Sequence, residues 1–141
     1  MKTKTWIKLT FALAVPLGVS LAAFADDAAP GTLPPAATQP GVTYAADIKP
    51  IFDHSCIKCH SGEKPKGHLK LDSLEGALKG GMDGKVIIAG DSAKSMLILN
   101  VAHLSDDKRD WMPPLHNKAK IGPLTPEQIG LLRAWIDQGA K

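Results

Sequence analysis

An all-α domain is the fold class this sequence predicts, and three observations point to it. The apolar residues Ile129, Leu132, Trp135 and Ile136 recur at helical spacing behind the capping signal Thr125-Pro126-Glu127-Gln128. A second run, Tyr44, Ile48, Ile51 and Phe52, has the same period. Between these runs, Asp and Ser residues precede short apolar segments, as helix N-caps do. At 141 residues the chain has room for one domain.

In chain order, residues 1–25 read as a signal peptide. MKTKTWIK is basic, LTFALAVPLGVSLAAFA is apolar or small, and Ala23-Phe24-Ala25 is a small-x-small cleavage pattern. The formal charge of +3 belongs to this leader, because Lys2, Lys4 and Lys8 lie in it and no acid does. The remainder carries 14 basic and 14 acidic residues, which argues against a nucleic-acid partner. No stable membrane insertion is expected once the leader is removed. Residues 26–42 contain four prolines and no apolar periodicity, and read as a flexible linker.

The folded unit is expected over residues 43–141. The first helix runs from Thr43 toward Cys56, with a break near Lys49 because Pro50 removes a donor. A short helix should follow Asp72-Ser73 and stop at Gly80-Gly81. KVIIAG, residues 85–90, is a brief apolar segment that could be extended. Asp91-Ser92 offers a cap for a helix through Met96 and Leu97 toward Val101. Residues 104–124 read as a long loop, and the last helix runs from the Thr125 cap to Gly139. Only Tyr44, Phe52, Trp111 and Trp135 supply aromatic rings outside the leader, so a large apolar group inside the domain would help its core.

The chemistry lies in CIKCH, residues 56–60, which holds both cysteines of the chain. On a helical turn, Cys56, Cys59 and His60 occupy positions i, i+3 and i+4 and share one face. Two thiols followed at once by an imidazole form the attachment signature of a c-type haem, each sulfur bonding a vinyl group while the histidine binds iron. A disulfide or a redox dithiol would use the cysteines but not His60. Zinc would need a second clustered pair, and His54, His68, His103 and His116 are scattered singly.

The sixth iron position has several candidates: Met82, Met96, Met112, His68, His103 and His116. Met96 lies in the apolar run SMLIL and reads as core packing, while Met82 sits in the Gly-rich GGMDG. Met112, in WMPPL, is favoured. The following proline forces it out of the α region, and two prolines stiffen the loop that presents its thioether. It lies 52 residues after His60, enough chain to circle a haem and return.

With these residues in view, the chain resembles a small class I cytochrome c, and within that class it is similar to the planctomycete-type cytochrome c domain. The resemblance rests on VTYAADIKPIFDHSCIKCHSG, LKLDSLEGALKGG, VIIAGDSAKSMLI, MPPL and LTPEQIGLLRAWIDQGA, from Val42 to Ala140. It implies helices wrapped around one covalently attached haem c, thioether bonds at Cys56 and Cys59, and iron ligated by His60 and Met112. Two departures stand out: His68 in KGHLKLD replaces a more usual glycine, and Trp111 precedes MPP where a charged residue is expected. The implied function is outer-sphere electron transfer in the periplasm between redox protein partners, not enzymatic catalysis. The alternative is a gas sensor or peroxidase-like domain with an open or weakly held sixth position.

Overall fold

The computed structural model describes residues 31–141; the predicted leader and the first part of the predicted linker lie outside them. The described residues form helices and turns with no strand, and a single isolated bridge joins Gly81 to Gly84. Four α-helices follow in order: α1 (Lys49–Ser55), α2 (Leu74–Lys79), α3 (Met96–Val101) and α4 (Pro126–Asp137). A π-helical turn, Tyr44–Ile48, leads into α1, and 3₁₀ turns occupy Lys66–His68, Ser92–Lys94 and Lys108–Asp110.

The first helical segment changes type where Pro50 enters. Thr43 caps it, accepting from the Ala46 N–H at 3.4 Å while Asp47 Oδ2 accepts from the Thr43 N–H at 2.8 Å. The Lys49 N–H reaches back five residues to the Tyr44 carbonyl, so a wide turn precedes the proline and α1 starts at Lys49. Proline then sits in the first turn of α1, where its missing donor costs least.

α2 is capped by Ser73, whose hydroxyl accepts from the Gly76 N–H at 3.2 Å, and ends at Gly80 with φ 86°. Ahead of α3 the expected continuous helix divides into a 3₁₀ turn and an α-helix. Ser95 marks the division: fully buried, it donates to the Asp91 carbonyl at 2.9 Å and accepts from the Ile88 N–H at 2.9 Å. A side chain committed to the preceding loop thus takes over at the junction. α3 turns Leu97, Ile98 and Val101 inward, whereas Met96, expected as core, is 47% exposed.

α4 shows both halves of the capping box. Thr125 Oγ1 accepts from the Gln128 N–H at 3.3 Å, and Gln128 Oε1 accepts from the Thr125 N–H at 2.9 Å. Its stripe, Ile129, Leu132, Trp135 and Ile136, is buried. Trp135 is the hub of the core. Its ring meets Tyr44 at 6.1 Å and, edge to face, Phe52 at 6.4 Å, and its indole N–H donates to the Lys141 carbonyl at 2.9 Å. The Tyr44–Ser55 helical segment and α4 therefore pack across one another.

Residues 33–42 of the expected linker are docked. The Ala37 N–H donates to the Gly130 carbonyl at 2.9 Å, Arg133 Nη1 donates to the Pro34 carbonyl, and Gln138 Nε2 donates to the Gln39 carbonyl at 2.8 Å. The absence of a side chain at Gly130 permits this approach, since a Cβ there would stand 2.7 Å from the Pro35 oxygen. Residues 33–39 form neither helix nor strand as they run against α4. These contacts begin about ten residues ahead of the first apolar periodicity.

Candidate haem site

α1 ends at Ser55, and CIKCH forms hydrogen-bonded turns beyond it. The N–H groups of Cys56 and Ile57 both point to the Phe52 carbonyl, at 2.8 and 3.1 Å. Those of Cys59 and His60 both point to the Cys56 carbonyl, at 3.1 and 3.0 Å. One turn of chain therefore carries both thiols and the imidazole. The turn is anchored from outside as well. The His60 carbonyl accepts from the Leu71 N–H at 2.8 Å, and the Leu71 carbonyl accepts from the Tyr44 hydroxyl at 3.1 Å. Through Tyr44, the core holds the site.

Met112 arrives from the loop between α3 and α4. Its N–H donates to the Asn100 carbonyl of α3 at 3.0 Å, and its side chain is half-buried against the core. The Met112–Pro113 peptide is cis. Farther along, Asn117 braces the loop: its amide donates to the Pro114 and Ile121 carbonyls at 2.8 and 2.7 Å and accepts from the Ile121 N–H at 2.9 Å.

Cys56, Cys59, His60 and Met112 line one cavity of about 330 Å³. Leu69, Leu71, Val86, Leu97, Val101 and Ile121 make its walls chiefly apolar. Lys58, Lys66 and Arg109 also line it, and no acidic side chain does. Both cysteines are free thiols, and burial, followed by the neighbouring Cys59, pushes the Cys56 thiol up to about 12. Burial likewise lowers the pKa of His60. The carbonyls of Leu69 and Lys66 oppose that shift and the Lys66 charge adds to it. The ring thus favours its neutral form, the form that binds metal. Its Nδ1 is buried with no hydrogen-bond partner among the described residues.

This donor set fits a covalently held haem. Two thiols share a turn with a neutral imidazole, a thioether enters from a distant segment, and apolar walls surround them. A zinc site would need a fourth ligand beside Cys56, Cys59 and His60, and no further His, Cys, Asp or Glu is among the described residues that line the cavity.

The other ligand candidates lie elsewhere. His68 is exposed and lines a separate groove with Glu63, Lys70 and Lys79. Met82 is 70% exposed, and neither it nor Met96 nor His116 lines the cavity. His103 stacks on Trp111. Sequence reasoning missed Asn100, Asn117, Arg109 and Ile121, which complete the wall. Only Asn117, a turn-forming residue after the prolines, carried a local signal.

The all-α described residues close on a cavity that holds the two cysteines and the histidine of a CxxCH turn, an arrangement consistent with a cytochrome c-type domain. More narrowly, residues 56–116 match the family described as Planctomycete cytochrome C, a span that opens on Cys56 and includes Cys59, His60 and Met112. No curated protein and no solved structure gives a significant match to the chain.

Proposed function

We propose that the protein is an exported, periplasmic monohaem cytochrome c that carries electrons and performs no catalysis of its own. Cys56 and Cys59 would form the two thioether bonds, each by adding its S–H across a vinyl double bond, and His60 and Met112 would bind the iron. The bound haem would supply a one-electron ferric/ferrous couple. The observation that carries this reading is the convergence of Cys56, Cys59, His60 and Met112 on one largely apolar cavity.

Each residue has a distinct task. The neutral His60 ring offers a nitrogen lone pair without a competing proton. Met112 would hold the iron through a soft, uncharged sulfur, a donor that would favour the reduced state and leave no ready place for oxygen or peroxide. The chiefly apolar walls would keep water away from the bound group. Lys58 and Lys66, exposed at the rim without acidic neighbours in the lining, favour brief contact with acidic redox proteins. Export rests on the leader sequence, and no described helix is long and apolar enough to cross a membrane.

The test is the protein matured in a host that attaches haem. A chain lacking residues 1–25 with the added mass of one haem, and a weak red ferric band of iron–methionine bonding that Met112→Ala abolishes, are expected. A colourless product of bare polypeptide mass would overturn the reading. Haem present but with rapid carbon monoxide binding and no such band would instead favour a sensor or peroxidase-like role.

A further inference from the structure

A sulfur presented from a loop binds iron well only if the loop is held still, and the end of α3 holds two consecutive loop residues. The Met112 N–H donates to the Asn100 carbonyl at 3.0 Å. Just before it, the Trp111 indole lies flat on the His103 ring, with centroids 4.8 Å apart and planes within 4°. The indole N–H donates to the Ser105 carbonyl at 3.1 Å, and the Lys108 ammonium stands 5.4 Å from the ring centroid.

His103 is the informative member of this group. It adopts a left-handed conformation, φ 56°, which glycine takes at no steric cost and other residues only when their surroundings impose it. Its Nε2 is buried with no hydrogen-bond partner among the described residues, so no bond described through that atom accounts for an imidazole here. What the side chain does make is the stack. Backbone strain is tolerated where glycine would serve, and the return is a flat ring against the residue that precedes Met112.

We propose that the His103–Trp111 stack is a positioning clamp that keeps the Met112 thioether turned into the cavity. This rests on the reading of Met112 as an iron ligand. Trp111, which departs from the charged residue expected before MPP, thereby gains a role beyond filling space.

The test titrates the ferric holoprotein with imidazole, which competes with the methionine, alongside the red ferric band. In His103→Gly and Trp111→Ala the apparent imidazole affinity should rise about tenfold, as expected when a pair of stacked rings stops favouring the Met-bound state. Trp111→Phe, which keeps a ring, should lie close to wild type. His103→Gly relieves the strained backbone, so a merely structural role predicts unchanged or higher thermal stability together with unchanged imidazole affinity. Unchanged affinity in both ring-deleting variants, with the band still abolished by Met112→Ala, would overturn the clamp alone. A wild-type protein without the band, binding imidazole as tightly as Met112→Ala, would overturn methionine ligation and the clamp with it.

Discussion

The two faces of this domain are built on different physical terms. Tyr44, Phe52 and Trp135 interlock between the amino-terminal helical segment and α4, with Phe52 and Trp135 fully buried. The segment between α3 and α4 buries only Pro113 and Leu124, leaves Leu104, Trp111, Met112 and Ile121 partly covered, and is otherwise tied by single hydrogen bonds, one ring stack and the Asn117 brace. The first region resists opening by burial, the second by local contacts that can fail separately. Stability and hold on Met112 are therefore expected to be separable, with His60 fixed from the first region and Met112 from the second.

That separation can be broken or sharpened by substitution. The largest effect is expected at Trp135→Ala, which empties the centre of the first region and should cost about 3–5 kcal/mol. Thermal unfolding would check it, and an unchanged melting temperature would end the account of the core. Next is Gly130→Ala, whose new Cβ would meet the Pro35 oxygen and detach the strap, a loss of about 1–2 kcal/mol. Limited proteolysis within residues 31–42 should accelerate, while the haem spectrum stays as it was.

In the second region, Asn117→Ala removes three hydrogen bonds at the surface and should cost about 1 kcal/mol locally. Its melting temperature should barely move while imidazole binding tightens; the opposite pattern would show that the two regions are one cooperative unit. The smallest effect concerns Asp107, whose carboxylate the Arg109 guanidinium holds down at about 2. A depressed carboxylate contributes above its unfolded value and loses that contribution as pH falls through its folded one. The pair should thus persist at pH values where ordinary aspartates have begun to protonate, which the pH dependence of the Asp107 carboxyl resonance would report. Titration at the usual aspartate value would show the pair absent in solution.

How much could be read beforehand follows the same division. The Thr125–Gln128 box and the Ser73 cap are written in adjacent residues, and the structure contains both. The CIKCH turn is equally local, and the four residues predicted as haem contacts share one cavity. The docked strap was not legible, because its partners Gly130, Arg133 and Gln138 lie about a hundred residues away. Pro-rich composition says only that the chain is extended, not whether a helix waits to receive it. The division at Ser95 likewise depends on where its hydroxyl finds partners. Trp111 and His103 gave no signal as a pair, since neither spacing nor hydropathy marks two rings that meet across a turn.

The strap has a practical consequence for anyone wiring this domain to a surface. The strap meets α4 through Pro34 and Ala37, and no described residue before Ser55 or after Ile121 lines the cavity. A linker fused ahead of Gly31 would fasten the molecule through the strap, none of whose described residues lines the cavity. Immobilised that way on an electrode, the protein would leave the side bearing Lys58, Lys66 and Arg109 open to whatever donor or acceptor diffuses past.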